Sequence, residues 1–160
     1  MRAFSQSLPM ALLRAREAVM RRFRPALRSQ GVTEQQWRIL RALAHAGSLE
    51  VTDLAEATFL LAPSLSRILP DMEARGLVSR RQLDTDLRRA AVRLEPKGLR
   101  LIAAHAPESE HTYAAIARSF GAERLDQLFT LLRELEEILD AGTHASSRRA
   151  RVPARKRVAR

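Results

Sequence analysis

The stretch "APSLSRILPDMEARG" (residues 62–76) sets two kinds of chemistry on opposite sides of one helix. At 3.6 residues per turn, Leu65, Ile68, Leu69 and Met72 fall on one apolar stripe. The opposite side carries Pro63, Ser66, Arg67, Pro70 and Ala74, with Ser64 at its edge. Small residues let a helix lie deep in a DNA major groove, where the Ser64 and Ser66 hydroxyls and the Arg67 guanidinium can meet base edges or phosphates. A plain solvated helix face has a similar composition, so the context must decide. Pro70 removes one intrahelical bond, to the Ser66 carbonyl, and its ring lies on the outer side. The expectation is a single helix bent toward its apolar side, with packing offsetting roughly 3 kcal/mol. The proline ring could then meet a thymine methyl.

A second constellation surrounds Arg16. Its helical neighbours Leu12, Leu13, Val19 and Met20 are all apolar. A guanidinium inside an apolar stripe needs a partner, because an unpaired buried charge is costly. The partner is either a ligand carboxylate, gripped by the planar fork of arginine, or an acid such as Glu110 or Glu136. The head can also snorkel to water. Met20, Phe23 and Trp37 either flank an aromatic ligand ring or simply pack the core. Arg38 and Arg41 are further carboxylate candidates, placed close to the segment that would read DNA.

Other chemistries find no foothold. The chain has no cysteine, which removes disulfides and thiolate metal sites. His45, His105, His111 and His144 have no metal-ligand spacing. No Ser-His-Asp set, glycine-rich phosphate loop or spaced carboxylate pair stands out, so neither an enzyme, a metal nor a cofactor is expected. Arginines interrupt every apolar run, and the N-terminus lacks the apolar centre of a secretory signal, so a cytoplasmic chain with no membrane segment is expected.

The 160 residues are 46% hydrophobic, enough for one domain with a sizeable core. The net charge of +10 is uneven. Seven of the 28 basic residues lie after Gly142, in a stretch without acids; the remainder holds 21 basic against 18 acidic residues. Residues 143–160 are therefore expected to be a basic disordered tail. Such a tail either adds counterion-release affinity for nucleic acid or only aids solubility.

The elements that must position these groups follow from caps and periodicity. Ser7 and Pro9 open a first helix, which Pro25 weakens and Gly31 ends. "TEQQ" is a capping box for a second, with Trp37, Leu40, Leu43 and Ala44 as its buried stripe and Gly47 as its stop. A short helix capped by Thr52 precedes the helix of residues 62–74. "LVSRRQL" and "AAVRL" read as two strands around the charged turn "DTDLRR". Pro96 opens a long helix with an internal Pro107, and a last helix carries Leu125, Leu128, Leu132, Leu135 and Leu139. The fold class is thus mainly α with a small β-hairpin wing: a winged helix-turn-helix over 33–95 within a domain spanning 7–142. Helices in 7–31 and 96–141 have apolar faces too large for that module to cover, and a second copy of the chain is the simplest cover.

"TEQQWRILRALA", "VTDLAEA", "PSLSRILPDMEARGLVSR" and "DTDLRRAAVRLEPKG" together resemble the MarR family of winged-helix transcriptional regulators over about residues 7–140. "ALLRAREAVMRRFRP" before "TEQQWRILR" is similar to the regulators of homoprotocatechuate degradation operons. The resemblance implies a homodimeric repressor on a pseudo-palindromic double-stranded DNA operator. It also implies release by a small aromatic acid, such as a hydroxyphenylacetate or a hydroxynicotinate. It carries an Asp-x-Arg wing motif onto Asp86 and Arg88, with Arg88 in the minor groove and Asp86 fixing its guanidinium. Arg80, Arg81 and Arg89 then become phosphate-contact candidates. Glu95 stands where the family usually has a threonine cap, so the start of the following helix rests on Pro96 and on the favourable charge of Glu95. The competing reading is an architectural protein that coats DNA without responding to a ligand.

Overall fold

The computed structural model describes the backbone of residues 4–83 and 86–149, with side chains described except at residues 5, 83–89 and 142–149. After a 3₁₀ turn at Phe4–Gln6, the order is α1 (Leu8–Ser29), α2 (Glu34–Ala46), β1 (Ser48–Glu50), α3 (Val51–Thr58), α4 (Ala62–Ala74), β2 (Val78–Leu83), β3 (Asp86–Leu94), α5 (Pro96–Phe120) and α6 (Ala122–Arg149). The chain divides into two compact units, Met1–Thr112 and Tyr113–Arg160. The first unit therefore takes in α1 and the first part of α5 beside the expected 33–95 lobe.

The first unit has one core. Ile39, Leu40 and Leu43 of α2, Leu54 of α3, and Leu65, Leu69 and Met72 of α4 meet Leu77, Val78 and Val92 from the sheet. Each such side chain, fully buried, contributes about 1.5–3 kcal/mol. The capping box forms as the sequence predicts: Thr33 Oγ1 accepts the Gln36 N–H at 3.2 Å, and Gln36 Oε1 accepts the Thr33 N–H at 3.0 Å. The stripe of α2 differs in detail. Gln36 and Ile39 are buried, Trp37 only partly, and Ala44 is exposed, because α2 turns its 36–39–40–43 face inward.

Three boundaries differ from expectation. The sheet has three antiparallel strands in the order β1-β3-β2, not two, with Leu49 opposite Val92 and Arg80 opposite the same residue from the other side. β1 is only "SLE", too short for any periodicity; pairing with β3 alone defines it. Because α3 starts directly after β1, its N-cap is Glu50, and Thr52 is an exposed first-turn residue instead of the cap. At the wing, β3 begins at Asp86, so Asp86, Arg88 and Arg89 belong to a strand backbone and not to the turn. Their side chains lie outside the described residues.

Prolines are carried inside helices: α1 runs through Pro25 to Ser29, α4 through Pro70, and α5 through Pro107. Ser7 is the N-cap residue of α1, but its hydroxyl makes no capping bond. In the second unit Gly121, at φ 97°, separates α5 from α6, a conformation that suits glycine. Arg124 lies 4.6 Å from the centroid of the Phe120 ring. The helix α6 continues to Arg149, seven residues into the stretch expected to be disordered; no proline interrupts it before Pro153. The rest of the basic tail, from 150 onward, lies outside the described residues. Among the described residues no helix is long and apolar enough to cross a membrane, and no three His, Asp or Glu side chains gather as a metal site.

Candidate nucleic-acid interface and effector site

The two sides of α4 separate as the wheel requires. Leu65, Leu69 and Met72 are buried, while Pro63, Ser66, Arg67, Pro70 and Ala74 are exposed and Ser64 is half-buried. Pro63 stands in the first turn, where its missing N–H does no harm. The Ser66 hydroxyl donates to the Ala62 carbonyl at 3.1 Å, so it is pulled back onto its own helix. Arg67 makes no ion pair among the described residues. The outer face thus offers one long cation among small groups, and nothing bulky obstructs a groove.

The wing is tied to this helix. Arg80 Nη2 pairs with Glu73 Oε2 at 2.7 Å, and the Arg80 backbone N–H donates to Glu73 Oε1 at 3.1 Å. Arg80, expected at a phosphate, therefore already serves α4, and its guanidinium is partly neutralised. Arg81 is exposed on the next strand position. Glu95 does not act as a cap through its side chain. Its carboxylate accepts the Ser79 hydroxyl at 2.5 Å and lies 3.4 Å from Arg93 Nε, joining β2 to β3. That hydrogen bond from Ser79, with the charge of Arg93, holds its pKa below the usual carboxylate value despite an opposing desolvation cost.

The turn between α3 and α4 is closed by the Phe59 and Leu60 N–H groups, which donate to the Glu56 and Ala55 carbonyls, each at 3.1 Å. Phe59 is the C-cap of α3 in the left-handed region, φ 51°, and is 83% exposed. Leu60 behind it is buried, and Leu61, the N-cap of α4, is 75% exposed. Arg38 reaches across from α2, its Nη1 donating to the Thr58 carbonyl at 2.6 Å.

The proposed ligand residues do not form one pocket. Arg16 sits in a four-membered ion ring on the exposed side of α1. Its Nη1 donates to Glu17 Oε1 at 2.8 Å and its Nη2 to Glu34 Oε2 at 2.7 Å. Arg24 closes the ring, with Nη2 at 2.6 Å from Glu17 Oε2 and Nε on Glu34 Oε1. The acid that pairs with Arg16 is thus Glu34, the first residue of α2, together with Glu17, and not Glu110 or Glu136. Burial raises the Glu34 pKa, but the hydrogen bonds from Arg24 and Arg16 outweigh it and leave the group below its ordinary value. Phe23 is buried, Met20 half-buried, and Arg41 exposed. Trp37 packs edge-on against His105 of α5, with ring centroids 4.4 Å apart. His105 was not among the residues singled out by spacing. It is 1% exposed, and neither ring nitrogen has a hydrogen-bond partner among the described residues. A lone histidine on an otherwise apolar helix face gives no sequence signal of that kind.

A helix-turn-helix whose second helix shows a small, singly basic outer face, braced by a basic β-hairpin, defines a winged-helix DNA-binding regulator. The comparisons agree. A family profile described as MarR family matches residues 30–89. The HTH-type transcriptional regulator FarR of Neisseria gonorrhoeae is 42% identical over 135 residues, which is 84% of this chain and 92% of that protein. The homoprotocatechuate degradative operon repressor of Escherichia coli is 43% identical over 128 residues, 80% of this chain and 86% of that protein. Among solved structures, NadR in complex with 4-hydroxyphenylacetate is similar at a TM-score of 0.73 and 39% identity, covering 84% of this chain and 96% of that one. The chain belongs to the MarR family; it is a transcription regulator and not an enzyme.

Proposed function

We propose that this chain is a cytoplasmic, homodimeric repressor of an aromatic-compound catabolic operon, released from its operator by a small aromatic acid. The observation that carries the DNA half of this reading is the clean division of α4, with its apolar stripe buried and Ser66, Arg67 and Pro70 exposed. In this reading α4, bent toward the core at Pro70, lies in the major groove. Arg88, oriented by Asp86, enters the minor groove, while Arg81 and Arg89 take phosphates. Arg80 supports α4 through Glu73 and only secondarily meets DNA.

Dimerisation is supported by large apolar residues exposed on the single chain, including Leu12 and Leu13 of α1 and Phe129, Leu131 and Ile138 of α6. Bare apolar surface of this kind favours association with a copy. The effector half is supported by the relative named as a homoprotocatechuate operon repressor and by the NadR structure that holds 4-hydroxyphenylacetate. In this reading the half-buried Met20 and Trp37 offer apolar and aromatic surface for the ring, and either Arg16 or Arg41 a cation for the carboxylate, while Phe23 is buried in the core. An acid that reaches Arg16 must compete with Glu34.

The test is operator binding at physiological salt with and without 4-hydroxyphenylacetate and 6-hydroxynicotinate. The proposal requires a preference for one duplex over unrelated DNA that survives the salt, and release by one of the acids. A DNA-coating protein would lose binding with salt, show no preference and ignore both acids.

A further inference from the structure

Two neighbouring positions at the reading head hold residues that their local structure disfavours. Phe59 ends α3 with φ 51°. That left-handed conformation suits glycine or asparagine and strains a bulky side chain. Leu61 is the N-cap of α4 and makes no side-chain capping bond. Serine, threonine, aspartate or asparagine would supply one. Both side chains also face water, Phe59 at 83% and Leu61 at 75% exposure, while Leu60 between them is buried. Their backbone is fixed: the Phe59 N–H donates to the Glu56 carbonyl, and the Leu61 carbonyl accepts the Ser64 and Leu65 N–H groups at 2.9 and 3.1 Å. A chain that forgoes local stability twice within three residues, and bares apolar surface in doing so, marks a contact site.

The pair stands at the end of α4 that enters the major groove in a helix-turn-helix protein. Its surroundings suit a polyanion. No acidic residue lies between Glu56 and Asp71, and Arg67 is the single charged residue in that stretch. Ala62 and Pro63 beside the pair are small and exposed, so nothing shields it. Two side chains fall well short of the roughly 800 Å² per partner that a stable subunit interface buries. They match instead the apolar group that a major groove presents, the 5-methyl of thymine. We infer that Phe59 and Leu61 form an apolar lip that selects a thymine in each operator half-site through its methyl group. The inference rests on the DNA half of the reading above. It adds readout by apolar contact to the hydrogen-bonding groups on the outer face of α4, and it accounts for an exposed phenyl ring that phosphate contacts leave unexplained.

The test uses the full chain and a duplex recovered by selection from random DNA. Each thymine is replaced in turn by deoxyuridine, which keeps the base pair and removes only the methyl. With the wild type, substitution at one thymine in a half-site should weaken binding about fourfold, the factor that one buried methyl is worth, and substitution in both half-sites about fifteenfold. Phe59→Asn suits the left-handed turn and Leu61→Ser supplies a cap, so the double variant should melt no lower than the wild type and remain a dimer. It should bind the thymine duplex at least as weakly as the wild type binds the doubly substituted one, and it should not respond to deoxyuridine at that position. Its affinity for unrelated DNA should be unchanged, since phosphate contacts are untouched. The inference is overturned if the wild type tolerates deoxyuridine at every thymine, a measurement that needs no variant. It is equally overturned if the folded variant keeps wild-type operator affinity or the full wild-type loss. Dissociation of the variant into monomers would also overturn it, by placing the lip at a subunit contact. If selection with the wild type recovers no preferred duplex, the DNA reading fails and this inference with it; a selective protein indifferent to the methyls sinks only the lip.

Discussion

Gln36 couples the first turn of α2 to α4: its Nε2 donates to Asp71 Oδ2 at 2.8 Å while its Oε1 accepts the Thr33 backbone N–H at 3.0 Å. One amide thus closes the capping box and fixes the rotation of α4 about its axis. Replacing Gln36 by Met removes both bonds and should lower stability by about 1–2 kcal/mol. Gln36→Glu keeps the acceptor but sets a second carboxylate against Asp71. With two like charges that close, it should lose more than Gln36→Met. Urea titrations of both variants check this, and a glutamate variant as stable as the wild type would refute the coupling.

Gly98 lets α5 approach the end of α4's loop. A Cβ built there would lie 2.4 Å from the Leu77 carbonyl oxygen, which already accepts the Glu95 N–H at 3.0 Å. Neither backbone can give way cheaply. Gly98→Ala should cost about 1–3 kcal/mol by overpacking, visible as a lower thermal midpoint. An unchanged midpoint would mean that the junction of β2, β3 and α5 is softer than its geometry states.

His105 makes stability depend on pH. Burial lowers its pKa below the ordinary 6.5, with the charge of Glu108 opposing. As pH falls, the unfolded chain takes up the proton first. The stabilisation from the neutral ring is therefore complete above about 6.5 and is lost as pH drops through the folded-state pKa. Urea midpoints should decline between about pH 7.5 and 5.5, and His105→Phe, which keeps an aromatic edge for Trp37, should flatten that decline. The same slope in both proteins would assign the pH dependence elsewhere.

Arg88→Ala tests the wing. Operator affinity should fall strongly while sedimentation still reports a dimer, as the proposed minor-groove role of Arg88 requires. Arg80→Ala should instead lower stability as well, through loss of the Glu73 pair, though by no more than about 1 kcal/mol for so exposed a bridge. Gel shifts in which Arg88→Ala equals wild type would remove the wing from the interface.

Features with a local signature were legible in the sequence. The Thr33–Gln36 box, the Gly47 stop and the buried stripe of α4 depend on neighbours three or four residues apart, and each appears where expected. Contacts made only by the tertiary fold were not. β1 is three residues that become a strand by meeting β3, and its presence moved the cap of α3 from Thr52 to Glu50. The Arg16–Glu34 pair spans 18 residues and the Arg38–Thr58 bond 20, distances at which no periodicity operates. The sequence marks Arg16 as a cation in need of a partner and Arg38 as a carboxylate candidate, but the partners come from the packing of α1 and α3 around α2.

The central claim is that two copies of α4 read a symmetric DNA site. Selection of bound duplexes from a random library at physiological salt tests it most directly. The account predicts enrichment of a pseudo-palindrome whose half-sites lie about 10 bp apart, centre to centre, and loss of that enrichment in Arg67→Ala. Recovery of unrelated sequences with no shared symmetric motif would contradict it.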